Sequence, residues 1–377
     1  MTNPRAKRPA RPQASEATDE ARARAAFRAR LEATKPAVEA AMVERFDAGF
    51  AARAELGKEA RTILLAAKDL SLRGGKRFRA ALLASSYFGV APRGKPRVAT
   101  SGGVALEMLQ SYLLIQDDWM DGDVERRGGP SAHVSIARTL AKSKLHAPPM
   151  TGAIGALLAS DYVWGLAVGA LIGGVPEAVQ GRAIAYLLAI HEDVVFGQIL
   201  DTLSPNADVE VLHDLKTGAY TVRGPLGLGA ILGGADMKVV RALYGYADPL
   251  GVAFQLRDDL LGVFGTEEEA GRPQGSDLLA GKSSAVVREA RPKLRGAAKK
   301  AVDAVWKQRD VGRAAMSVAV RAIEDTGARA TVERRLATLC SEAEGKARKL
   351  PLAERARLEL LGASLAIRVG PGGREAR

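Results

Sequence analysis

One cysteine, four histidines and an aromatic content of 5% mark what this 377-residue chain has little of. The lone Cys340 excludes an intramolecular disulfide framework and a cysteine-rich zinc site, and it fits a reducing, cytoplasmic compartment. His133, His146, His191 and His213 are scattered and form no tight metal-ligand cluster in sequence. No stretch sustains the alternation of apolar and polar residues that a half-buried strand needs. No internal repeat is apparent. Met1–Ala21 contains no apolar run of the secretory type. With Pro4, Pro9 and Pro12 among scattered basic residues, it is expected to be a disordered tail. Patterns for a nucleotide P-loop, a zinc finger or an aromatic RNA-binding surface are missing as well.

What is present is an ordinary globular balance, 47% hydrophobic and 26% charged, rich in the good helix formers alanine and leucine. The net charge of +12 admits nucleic acid, anionic lipid or phosphorylated ligands. Much of the excess sits in the N-terminal tail and in Arg288–Lys300. With no nucleic-acid motif beside it, no nucleic-acid partner is expected, and the basic C-terminal helices read as solvated faces. Thr151–Val175 is apolar and about as long as a membrane span, but Asp161 near its centre would be costly in lipid. It reads as a buried helix of a large bundle, and no stable membrane anchor is expected.

Apolar residues recurring at three and four place helices over about Arg22–Leu56, Glu59–Leu70, Phe78–Phe88, Val98–Trp119, Ser131–Leu140, Thr151–Leu171, Pro176–Leu200, Val209–Thr217 and Val239–Phe264. Basic-faced helices follow over about Ser283–Val369, and Gly370–Arg377 is a frayed tail. The pattern predicts an all-α fold with one domain over 22–369.

Two apolar helices end in aspartates. Asp117 and Asp121 are four apart and share a helix face, with Asp118 between them. Gln255, Asp258 and Asp259 follow the i, i+3, i+4 pattern and share a face as well. Carboxylate oxygens suit hard divalent cations such as Mg2+. Arg126 and Arg127 follow the first patch, and guanidinium groups suit phosphate oxygens. Lys76, Arg77 and Arg79 flank a Gly-Gly break at a helix start, a natural anion site. Gln198 and Asp201 lie on one helix face. Taken singly, each patch is equally a solvated polar helix end.

In this order, GGKRFR, DDWMD followed by ERRGGPSAH, GQILD, KTGAY, FQLRDD and a final GK resemble the trans-type isoprenyl diphosphate synthases, over about Arg22–Val287. The resemblance implies a bundle of long antiparallel helices around a deep central cavity, with the two aspartate motifs facing across its mouth. Asp117, Asp121 and Asp258 match metal ligands for the cofactor Mg2+, and Asp118 and Asp259 complete the motifs. Arg126, Lys216 and Lys282 match residues that hold an allylic diphosphate. Lys76, Arg79 and Arg127, with Gln110 nearby, match those that hold isopentenyl diphosphate. Thr217, Gln198 and Gln255 match polar residues near the reacting carbons. The implied reaction is head-to-tail condensation of the two diphosphates. The partners are these substrates and a second copy in a homodimer.

Departures are Ala80 for a usual proline, Gln110 for a frequent histidine, Arg272 for a frequent lysine, and Gly262 for the last aspartate of the second motif. Tyr112 and Leu113 stand just before the compact first motif, below it along the helix, where aromatics limit product length in family members making C15–C20 chains. This looks most like a geranylgeranyl diphosphate synthase, with farnesyl diphosphate the alternative. A helical wheel turns Tyr112 about 140° from Asp117, so spacing alone does not aim it into the cavity. A class I terpene cyclase and a non-catalytic partner subunit are the remaining alternatives; the intact second aspartate pair and both basic sites argue against them.

Overall fold

The computed structural model describes residues 14–53, 55–141, 147–204, 214–270, 272–308 and 311–373, with backbone only at 14–16, 214, 216 and 217. The described residues are mostly helical. Helix α1 (Ala14–Ala51) starts well before the expected Arg22. Alanine, arginine and glutamate in this stretch are strong helix formers, so low hydrophobicity there does not mean disorder. Its buried face of Ala23, Phe27, Val38, Met42 and Phe46 needs a partner. That partner includes α17 (Glu354–Ile367), where Glu359 takes two hydrogen bonds from Arg30 at 2.9 and 3.0 Å.

Between these come α2 (Lys58–Leu72), α3 (Phe78–Val90), α4 (Pro96–Met120), α5 (Ala132–Thr139), α6 (Pro148–Leu171) and α7 (Glu177–Leu203). Helix α8 (Asp214–Arg223) is π-helical and runs directly into α9 (Gly224–Leu232). The α-helix expected over Val209–Thr217 is thus replaced by a wider turn from Asp214 on, and Val209–His213 lie outside the described residues. Helix α10 (Met237–Phe264) is followed by the short α11 (Glu267–Ala270), α12 (Ser276–Leu279) and α13 (Ala285–Ala290). Then come α14 (Gly296–Val305), α15 (Arg313–Glu324) and α16 (Ala328–Ala347).

Helix α4 is central, packed by α6, α3 and α1, while α10 lies against α16 and α8. Helices α3 and α9 come so close that a Cβ at Gly229 would stand 2.3 Å from the Leu83 carbonyl oxygen, so only glycine fits. The loop after α4 contains a minimal hairpin, Glu125–Arg126 paired with Gly129–Pro130. Its turn residues Arg127 and Gly128 have φ of 53° and 74°, as a tight two-residue turn requires.

Helix α6 departs from the expectation of a buried helix. It buries Gly155, Ala159 and Val163 but exposes Ile154, Leu157 and Leu158. By length and composition, α4, α6 and α7 are each apolar enough to cross a membrane. Only α4 has most of its apolar stretch buried, at 72%; α7 buries 28%.

Candidate active site

Helices α4 and α10 end beside one another at an open cavity of about 760 Å³. Asp117 and Gln110 come from α4 and Asp121 from the cap just past its end; Gln255, Asp258, Asp259 and Phe254 from α10; Arg79 from α3; Tyr220 and Thr221 from α8. The loop after α10 closes the rim with Arg272, Asp277, Lys282 and Ser284. The two aspartate patches, 141 residues apart in sequence when counted from Asp117 to Asp258, therefore face one space.

Within each patch the carboxylates divide by burial. Asp121 meets Lys282 Nζ at 3.4 Å, and Asp258 meets Arg272 Nη2 at 3.8 Å. Asp118 is fully buried and turned away from the cavity. Its Oδ1 accepts from Arg126 Nε at 2.7 Å. Burial pushes its carboxyl up to about 6 despite Arg126. Asp259 reaches the cavity wall, but its oxygens accept from Gln255 Nε2 and the Ala285 amide, both at 2.7 Å. Burial raises this carboxyl too. Asp118 and Asp259 thus brace the motifs from behind.

Arg126 also binds Asp123 at 2.9 Å and does not line the cavity. Lys76 is exposed beside the Gly-Gly turn and Gln198 is bonded to Thr202 Oγ1 at 3.4 Å; neither lines the cavity. Lys216 and Thr217 lie in α8 with side chains outside the described residues.

A second group gathers around the turn before α3. Arg79 lies 4.3 Å over the Tyr220 ring and donates to Thr221 Oγ1 at 3.0 Å, leaving its buried Nε without a partner. Arg127 donates to the Arg73 carbonyl at 3.1 Å. Burial and the charge of Arg77, with smaller effects from Arg79 and Arg126, lower the Arg127 pKa. Arg77, Arg79 and Arg126 thus concentrate positive charge on Arg127, with Glu107 opposing it, and such a cluster suits a phosphate group.

Tyr112 does not line the cavity. It is buried on the far side of α4 against Trp164 (5.8 Å between ring centroids) and His191 (5.2 Å), which stack on each other at 4.1 Å. Leu113 packs partly buried against the same core.

Asp117, Asp121 and Asp258 line the cavity with Asp123 and Asp201, and they are the carboxylates that would hold a divalent metal. Among the described residues no three such groups stand together as a closed cage. The donor set fits Mg2+, which takes one or two carboxylates and fills its shell with water and phosphate oxygens.

Sequence reasoning missed Asp123, Tyr220, Thr221 and the role of Asp277. Asp277 is buried, lines the cavity, and pairs with Arg272 at 3.4 Å. It was visible only as a loop acid between Arg272 and Lys282. Tyr220 and Thr221 lie within and just beyond the KTGAY motif, the signal that marked this segment.

The polyprenyl synthetase family profile matches residues 61–323. The short chain isoprenyl diphosphate synthase of Methanothermobacter thermautotrophicus is 32% identical over 235 residues, 60% of this chain and 66% of that one. The farnesyl diphosphate synthase of Geobacillus stearothermophilus is 36% identical over 231 residues, 56% of this chain and 69% of that one. The chain thus spans about two thirds of the length of these relatives. Among solved structures, the geranylgeranyl pyrophosphate synthase of Corynebacterium glutamicum, complexed with isoprenyl diphosphate and magnesium, superposes with a TM-score of 0.80 at 26% identity. That match covers 88% of this chain and 96% of that one.

Proposed function

The chain belongs to the polyprenyl synthetase family, and we propose that it is a Mg2+-dependent prenyltransferase joining isopentenyl diphosphate head to tail to an allylic diphosphate. The observation that carries this reading is the convergence of Asp117, Asp121 and Asp258 on one cavity whose other walls supply Arg79, Arg272 and Lys282.

In this reading the allylic C–O bond breaks, leaving an allylic cation and a diphosphate. Bound metal supplies charge neutralisation for that leaving group, held by Asp117, Asp121 and Asp258. Lys282 and Arg272 add fixed positive charge at the same rim. The double bond of isopentenyl diphosphate attacks the cation, a new C–C bond forms, and a proton leaves to the departed diphosphate. Arg79 and Arg127 orient the second diphosphate. Phe254 and the apolar helices behind it keep water from the cation. No serine, cysteine or histidine nucleophile is needed.

We assign the product as geranylgeranyl diphosphate on the likeness of the compact first motif; the Tyr112, Trp164 and His191 rings do not line the cavity and are met by a growing chain only where it extends past α4. Farnesyl diphosphate is the second reading, favoured by the 36% identity to a farnesyl diphosphate synthase. The chain works as a homodimer, supported by the uncovered apolar faces of α6 and α7, and in a cytoplasm that keeps the buried Cys340 thiol reduced.

The test is incubation of the purified protein with Mg2+, isopentenyl diphosphate and, in turn, dimethylallyl, geranyl and farnesyl diphosphates, with product analysis. A C20 product that lengthens in Tyr112→Ala bears out both the activity and the growing chain's contact with Tyr112. C15 alone keeps the chemistry and overturns the length assignment. No product with any primer overturns the activity.

A further inference from the structure

Beside α10, next to the reaction cavity and sharing Gln255 with it, lies a second cavity of about 510 Å³. Its walls come from α10, α13, α16 and Gly218 of α8. Four ionisable groups stand on these walls, and they are unequally matched. Glu289 is paired with Lys293 at 2.5 Å, and Asp248 with Arg223 at 3.1 Å. Both acids are therefore neutralised by cations that do not line the cavity. Arg288 and Arg335, on α13 and α16, make no salt bridge among the described residues. Two guanidiniums thus face one cleft whose own acids, Asp248 and Glu289, are each paired with a cation outside it, and Arg288 also favours the charged form of Asp259. The rest of the lining is apolar, with Leu256 and Val332 buried and Val252 exposed.

From this arrangement we propose that the second cavity is an anion site for a phosphate or diphosphate group, separate from the reaction cavity, with Arg288 and Arg335 as its ligands. Guanidinium forks match such oxygens, and charge-assisted hydrogen bonds are the strong ones. The apolar wall of Leu256, Val252 and Val332 accommodates a hydrocarbon tail on the same anion. Two sources share this chemistry: a free inorganic diphosphate and a prenyl diphosphate.

The site is wired to the reaction cavity through short bonds. Gln255 lines both cavities and donates to Asp259 Oδ1 at 2.7 Å. Ala285 lines the second cavity, and its amide donates to Asp259 Oδ2 at 2.7 Å. An anion drawing Arg288 and α13 inward acts on the same carboxylate that braces the second aspartate patch. Occupancy is therefore read at the reaction cavity as a change in rate rather than as competition for it.

Equilibrium dialysis of the full chain in EDTA, with inorganic diphosphate and separately with a non-hydrolysable geranyl thiolodiphosphate, counts bound equivalents per chain. Wild type binds one equivalent more than the Arg288→Gln/Arg335→Gln variant. The single Arg335→Gln variant weakens that equivalent about tenfold or more and leaves KM for both substrates unchanged. Loss of the equivalent with inorganic diphosphate identifies the free ion as ligand; loss only with the thiolodiphosphate identifies the prenyl ester. Equal stoichiometry in wild type and double variant with both probes overturns the site. If the double variant misfolds by circular dichroism, Arg335→Gln decides alone: unchanged affinity for both probes overturns the proposal.

Discussion

Gly262 shows how one small residue is fixed by a side chain far along the chain. It stands where the second motif would carry its last aspartate. A Cβ there would meet the Asp277 carboxyl at 2.5 Å. The space is already filled by a carboxylate, delivered by α12 and buried at the cavity wall. Burial pushes the Asp277 carboxyl up to about 6, with Asp259 adding to the effect and Arg272 opposing it. The sign follows from linkage. A carboxyl whose folded pKa lies above its unfolded value contributes stability that is full below about pH 4 and lost as pH rises through about 6. Asp277→Asn should therefore remove a loss of stability on the order of 2 kcal/mol between these pH values, read by urea unfolding across the range in EDTA. Parallel pH profiles in wild type and variant would refute the assignment. Asp277 was not legible as a partner of the second motif, because linear spacing cannot show that a residue 15 positions on folds back over Gly262. Asp117, Asp121 and Asp258 were legible because each sits at the polar end of an apolar helix, where period and chemistry coincide.

Two short elements, the turn before α3 and the hairpin after α4, are clasped into one unit. Arg73 donates to the carbonyls of Arg126 at 2.8 Å and Pro130 at 3.1 Å, and Arg127 returns a bond to Arg73. Beneath them Arg77 is buried in a left-handed backbone conformation, φ 53°, which costs a non-glycine residue energy. Its guanidinium repays this by binding Glu39 at 3.0 Å, Glu107 at 3.2 Å and the Ser71 carbonyl at 3.0 Å. Removing one partner of a buried ion pair strands the other charge. Arg77→Met should therefore lower unfolding free energy by about 3–5 kcal/mol, and adding Glu107→Gln should recover part of it. A loss below about 1 kcal/mol in Arg77→Met would mean the pair is solvated. The GGKRFR motif drew attention to Lys76 and Arg79 by resemblance. Arg77 could be ranked only once α1 and α4 were seen to place Glu39 and Glu107 against it. Helix boundaries show the same limit. Periodicity found α4 and α10 closely, but α1 begins at Ala14 because charged helix formers extend it past its apolar face. The π-helical α8 has no period-3.6 signature to find.

Two long helices leave the molecule with apolar surface that one copy does not cover. On α6, Met150, Ile154, Leu157 and Leu158 recur at helical spacing and are exposed; on α7, Leu188, Phe196, Ile199 and Leu203 do the same. Patches of this kind mark a protein or membrane contact. A stable pair needs about 800 Å² buried on each copy, within reach of two helices of 24 and 27 residues. A bilayer is the competing occupant, and net charge separates the two. A chain of +12 binds anionic vesicles more weakly as salt screens it, whereas apolar self-association is not weakened that way. Light scattering after size exclusion should give about twice 39.8 kDa at both low and physiological salt. Leu157→Glu/Leu158→Glu should reduce that to one chain mass with the helical circular-dichroism signal retained, because both residues are half exposed and neither supports the core. A wild-type chain that is monomeric at both salts, and floats with anionic vesicles only at low salt, would give the faces of α6 and α7 to lipid instead.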